Sequence, residues 1–196
     1  LSGHLGVDLA ANQISELVFE AEKIVHGTPS GIDNTVVAYE MPVYFVKGQN
    51  PETFEPGKLF RLVIGDTGIE ASTKKTVANV RKAWRNEPGL MEGYFDAIEK
   101  ITRNGKIAIE SGNAEQVGEL MDENHELLNS IGVGHKILEK LVEIAREKGA
   151  LGAKLTGGGG GGNMVALAED KKTQKKICEA ITEAGYRAYQ TSFGEQ

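Results

Sequence analysis

The chain has 196 residues, 40% of them hydrophobic and 26% charged, with a net charge of −6, a balance that fits a soluble globular protein long enough to bury a real core. The charge is acidic and no basic run stands out, which argues against nucleic acid as a main partner. No apolar run is long enough to span a bilayer and no signal-peptide pattern is present, so no membrane partner and a cytoplasmic location are expected.

Leu1-Ser2-Gly3-His4 opens the chain without an initiator methionine, and the first apolar residues read as the tail of an earlier element. Ile14, Leu17, Val18, Ala21, Ile24 and Val25 then recur at helical spacing, with Gly27 as the stop. Glu22 borders that apolar stripe within a turn of the helix end; helical spacing alone also allows a solvated carboxylate there. The stretch His26-Gly27-Thr28-Pro29-Ser30-Gly31-Ile32-Asp33-Asn34-Thr35 follows. Two glycines allow backbone torsions that other residues avoid, a proline fixes one torsion between them, and small polar groups sit on this stretch, as they do where catalytic residues are mounted on rigid turns. A tight turn with Asp33 merely capping the next helix has the same composition.

Val43–Val46 and Leu59–Ile64 read as strands, and Gly65-Asp66-Thr67-Gly68 as a polar turn. Ser72 reads as the N-cap of a helix carrying Val77, Val80 and Trp84 and ended by Pro88-Gly89. Lys74 and Lys75 occupy its first turn, where the helix dipole disfavours cations; they are either solvated or turned toward an anion. Helical patterns cover Leu90–Ile109, Ala114–Leu128 and His135–Lys148. A strand ending at Lys154-Leu155-Thr156, the glycine run Gly157–Gly162, a strand at Asn163–Ala168, a helix at Lys171–Ala184 and a last strand at Tyr186–Phe193 complete the chain. This order predicts an α+β fold with helices on a mainly antiparallel sheet.

Consecutive glycines between two strands are entropically costly to order. Close approach of backbone to a ligand or another loop is a physical reason for them, and successive glycine N–H groups can form an anion-binding concavity. The run satisfies G-x-G-x-x-G trivially, but a strand follows where a dinucleotide site needs a helix. His4, His125 and His135 lack metal-ligand spacing and read as surface or packing residues, and Cys178, set among helical apolar positions, reads as a buried structural thiol.

Glu22 to Asn34, with its H-G-T-P-S-G-I-D string, strongly resembles the second motif of the mevalonate kinases, in the superfamily of galactokinase, homoserine kinase, mevalonate kinase and phosphomevalonate kinase. Lys154-Leu155-Thr156 with Gly157–Gly162 resembles that superfamily's third motif. Asp66-Thr67-Gly68 with Ser72-Thr73-Lys74, Asn124-His125-Glu126-Leu127-Leu128 and Ile131-Gly132-Val133 resemble intervening segments in the family's order. The resemblance implies that residues 47–196 form the superfamily's C-terminal substrate domain, with helices on a ferredoxin-like sheet, and that residues 1–46 are the last part of the N-terminal kinase domain. It implies ATP-dependent phosphorylation of the mevalonate hydroxyl to give 5-phosphomevalonate and ADP, with ATP and Mg²⁺ required, and it allows a homodimer.

Carried over position by position, Asp33 matches the carboxylate that accepts the hydroxyl proton and Glu22 the residue that binds magnesium. Ser30 and Gly31 match backbone near the phosphoryl acceptor. Thr156, Gly157, Gly158, Gly159 and Gly160 match the loop that lines the substrate pocket. His26, Thr73 and Lys74 match residues shaping the same pocket, His26 more as a scaffold for its turn than as a catalyst. The superfamily's first motif, P-x-x-x-G-L-G-S-S-A, does not occur, so the chain reads as a C-terminal portion. A non-catalytic binding module, or a related kinase acting on phosphomevalonate or a sugar, is the alternative reading.

Overall fold

The computed structural model describes residues 6, 9–26 and 30–195, without the side chains of Val25 and His26. Two compact units divide at Glu55 and Pro56. The first contains α1 (Ala11–His26), α2 (Ile32–Tyr39) and a short antiparallel pair, β1 (Val43–Tyr44) with β2 (Glu52–Thr53). Only the first half of the Val43–Val46 pattern pairs. The two helices are joined by polar contacts: Asn34 Nδ2 donates to the Ser15 carbonyl at 3.0 Å and to Ser15 Oγ at 2.9 Å. Thr35 Oγ1 lies 3.3 Å from Ser15 Oγ and donates to the Gly31 carbonyl at 2.6 Å.

The second unit holds β3 (Phe60–Asp66), α3 (Thr73–Asn86), α4 (Pro88–Glu110), α5 (Ala114–Ser130), α6 (Lys136–Glu147), β4 (Gly152–Thr156), β5 (Asn163–Ala168), α7 (Lys171–Glu183) and β6 (Arg187–Phe193). Its sheet has the order β4-β5-β3-β6 with every pair antiparallel. This is the split β-α-β arrangement of ferredoxin-like sheets. Alternation along the strands divides the core. Val63, Ala166 and Ala153 lie opposite one another and pack under Leu138 and Leu141 of α6 and Ile177 and Ile181 of α7. Leu167 and Phe60 face the other way, against Ala108 of α4 and Ala114 and Val117 of α5, and Phe60 stacks on Phe193 at 5.1 Å.

Local chemistry sets the helix starts. Ser72 Oγ accepts the Lys75 N–H, Asn113 Oδ1 that of Gln116, and Asp170 Oδ1 that of Thr173, while Pro88 opens α4 at a position needing no N–H. Gly65 and Asp66 were expected in a turn but continue β3, paired with Met164 and Asn163. A Cβ at Gly65 would come 3.1 Å from Met164 Sδ, so this glycine admits a core side chain. Cys178 is half-buried against the α6–α7 core. Among the described residues no helix is long and apolar enough to cross a membrane.

Candidate active site

Gly31 is the N-cap of α2, at φ 91°, and no side chain caps the helix. Asp33 is therefore not the cap: it stands in the first turn, exposed, and makes no side-chain hydrogen bond or ion pair among the described residues. Its neighbours Asn34 and Thr35 are buried. The helix start is thus clamped on one side and presents an exposed carboxylate on the other. Ser30 Oγ accepts the Ile32 N–H at 3.3 Å, and a Cβ at Gly31 would meet Phe45 at 3.3 Å and Phe19 at 3.5 Å. Glu22 is half-buried near the end of α1 and has no ion pair or hydrogen-bonded partner among the described residues. The His26 side chain and Gly27–Pro29 lie outside the described residues, as does His4.

In the second unit the glycine loop joins β4 to β5 and packs on two segments. Gly160 N–H donates to the Val133 carbonyl at 2.8 Å and Gly162 N–H to the Ile69 carbonyl at 3.0 Å. Among the described residues these are the only loop glycines whose N–H groups meet a backbone acceptor. Gly157 and Gly158 are exposed and present their N–H groups to an anion, whereas Gly159 is buried. The start of α3 lies against the same loop: a Cβ on Gly158 would come 2.6 Å from Thr73 Oγ1, and one on Gly160 would come 3.2 Å from Thr76 Oγ1. Lys74 is exposed and has no ion pair among the described residues. The structure thus brings Thr73 to the glycines that sequence resemblance grouped with it.

Because the loop is closely packed, its glycines are not equivalent. Gly157 and Gly159 both have left-handed backbone, but a Cβ at Gly157 meets nothing within 4 Å, whereas one at Gly159 overlaps the Val133 carbonyl. Gly157→Ala is expected to cost about 1 kcal/mol from backbone strain. Gly159→Ala adds overpacking, for a total of about 3 kcal/mol. Urea denaturation of the two variants side by side checks the difference.

Two features escaped the sequence reading. An apolar cleft of about 370 Å³ adjoins Gly157 and Gly158, walled by Val77, Val80 and Trp84 of α3, Phe95 of α4 and Leu128 of α5, with Arg81 among its lining. Its size suits the apolar part of a small ligand. The i, i+3, i+7 spacing of Val77, Val80 and Trp84 was visible, but nothing local showed that the stripe is left uncovered. The other feature is Lys154, whose Nζ donates to the Leu155 carbonyl at 2.8 Å. Burial pushes its ammonium down from 10.5 to about 8.

Below pH 8 both the folded and unfolded chains carry the Lys154 proton, and the fold bears the full cost of burying that charge. Between pH 8 and 10.5 the unfolded chain keeps a proton that the folded one has released, so this cost fades as pH rises. Lys154→Met is expected to stabilise the fold by about 2–3 kcal/mol at pH 7. The gain should shrink toward pH 10.5, as read from denaturation midpoints of both proteins at each pH.

The glycine loop and the strands it joins fall within a GHMP kinase C-terminal domain: the family described as GHMP kinases C terminal matches residues 106–187. Within that family it is similar to mevalonate kinases. It is 42% identical to the mevalonate kinase of Pyrococcus horikoshii over 92% of this chain and 54% of that protein. It is 34% identical to that of Aeropyrum pernix over 97% of this chain and 59% of the relative. The crystal structure of L. major mevalonate kinase in complex with R-mevalonate superposes with a TM-score of 0.88 at 30% identity, covering 95% of this chain and 59% of that one. The chain spans 54% to 59% of the length of these relatives.

Proposed function

We propose that this chain is part of an ATP-dependent mevalonate kinase of isoprenoid precursor synthesis, acting in the cytoplasm, with residues 1–46 contributing to its N-terminal domain and residues 47–196 forming its C-terminal one. The observation that carries the reading is Asp33: its motif lies inside the long match to mevalonate kinases, and its carboxylate is exposed on a clamped helix start, with no partner among the described residues.

Phosphoryl transfer depends on positioning and charge neutralisation more than on covalent help from protein. Asp33 accepts the proton of the attacking hydroxyl as the phosphorus–oxygen bond forms. Ser30 and Gly31 hold backbone beside the acceptor. In the second unit, exposed Gly157 and Gly158 offer backbone N–H groups to an anionic group, and Thr73 lies beside Gly158.

Among the described residues no group of three or more His, Cys, Asp or Glu could hold a metal. Mg²⁺ does not need one, since it keeps waters and phosphate oxygens and takes one or two carboxylates. Glu22 fits that donor set as a carboxylate with no partner among the described residues, and it would hold the ion. The ion neutralises charge on the phosphates when bound.

The test is ADP release by the natural gene product offered mevalonate, phosphomevalonate and galactose in turn. Preference for mevalonate supports the reading; turnover with none, or preference for another acceptor, overturns it.

A further inference from the structure

His125 on α5 is 2% exposed, and its ring is held from both edges. Leu155, two residues before the glycine loop, donates its backbone N–H to Nδ1 at 3.2 Å. Nε2 lies 3.1 Å from Glu139 Oε2 on α6, an oxygen that also accepts from Asn129 Nδ2 at 3.0 Å. An N–H pointing at Nδ1 requires a bare lone pair there, and a carboxylate at Nε2 requires a proton there. Both contacts therefore select the same species, a neutral imidazole protonated on Nε2. Glu139 Oε1 is buried with no partner, so the His125 and Asn129 donors are what offset this carboxylate. Loss of the Nε2 proton would set two lone pairs against each other.

We propose that His125 is a positioning residue for the glycine loop, acting through this one tautomer. One strap is the Nδ1 contact to Leu155 at the loop's entrance. The other leaves the same end of α5: Val133 N–H donates to the Leu128 carbonyl at 3.1 Å, and the Val133 carbonyl accepts the Gly160 N–H at 2.8 Å. Between them the two straps hold Gly157–Gly159, of which Gly157 and Gly158 are exposed. Asn129, which shares the carboxylate with His125, also leans on the residue after Val133, where a Cβ on Gly134 would overlap its Oδ1. The bearing of this on phosphoryl transfer rests on the kinase reading; the loop geometry does not.

The experiment is ¹⁵N NMR and amide exchange on the full chain at pH 7. The His125 ring nitrogens are expected to show an unprotonated Nδ1 and a protonated Nε2; a proton on Nδ1 overturns the proposal without any variant. His125→Asn places an oxygen acceptor near Nδ1, and His125→Gln places a donor near Nε2 only. The Leu155 and Gly160 amides should stay protected in the Asn variant and exchange about tenfold faster in the Gln variant, the factor for losing one net hydrogen bond. Equal exchange in both variants, whether slow or fast, would show that the ring acts by volume alone and would end the proposal. A kinase assay that fails leaves these readouts intact, so the two ideas fail separately.

Discussion

Asp33→Asn is expected to lower mevalonate turnover by about 10²- to 10⁴-fold, the usual range for removing a positioned general base, while leaving the fold in place. Asn keeps the side-chain volume and removes the charge that accepts the proton. The fold should barely notice, because Asp33 is exposed and makes no side-chain hydrogen bond among the described residues. Its one structural contribution is a carboxylate in the first turn of α2, about 0.3–1 kcal/mol.

Asn34→Ala one position on should do the reverse. It removes two hydrogen bonds to buried Ser15 and should cost about 1–3 kcal/mol of stability. Turnover measured with melting temperature on both variants separates a catalytic carboxylate from a structural neighbour. Near-normal turnover by Asp33→Asn would remove the assigned role.

Gly118→Ala is expected to destabilise the protein by about 3 kcal/mol or more, read as a lowered urea midpoint. On helix propensity alone the change should help, since alanine beats glycine by about 1 kcal/mol inside a helix. Packing reverses the sign. Gly118 lies in α5 where that helix meets β4, and a Cβ there would overlap the Leu151 carbonyl; one on Gly152 would overlap the carbonyl of Gly118 in turn. Backbone touches backbone at this crossing.

Lifting α5 off the strand would stretch two bonds that cross the same seam. Asp122 Oδ1 accepts the Ala153 N–H at 2.8 Å, and His125 Nδ1 accepts that of Leu155. Asp122 is also held by Arg146, at 3.0 Å from Nε and 2.7 Å from Nη2. The damage should therefore spread from one methyl group to the stem of the glycine loop. A stabilised Gly118→Ala protein would mean that α5 and β4 part without cost.

Much of this architecture can be read from local pattern. Apolar spacing located α1 and α3 to α7 within a few residues, because burying one stripe of a helix needs a 3.6-residue repeat whatever it packs against; the segment of α2 read as either extended or short-helical chain. The N-caps at Ser72, Asn113 and Asp170 depend on a side chain and an N–H three residues apart, and so they too are local. The strand at Phe60–Asp66 was cut short at Ile64 because Gly65 and Asp66 carry turn chemistry; only pairing with Met164 and Asn163 from a hundred residues away overrides it.

His125 shows the same boundary. As a lone histidine it promised packing or surface, and its partners come from β4 and α6. The cleft beside Gly157 depends likewise on which side of α3 its neighbours fail to cover.

By itself, the sequence determined most of the elements, their order, the α+β class and the two stretches where chemistry is expected, since propensity, periodicity, capping and motif act over a few neighbouring residues. Only the tertiary structure decided that Asp33 is exposed while Asn34 and Thr35 are buried, that Thr73 meets the glycines, and that the His125 ring joins α5 to the loop's entrance. Those outcomes depend on distances between residues far apart in the chain, and no local pattern contains them.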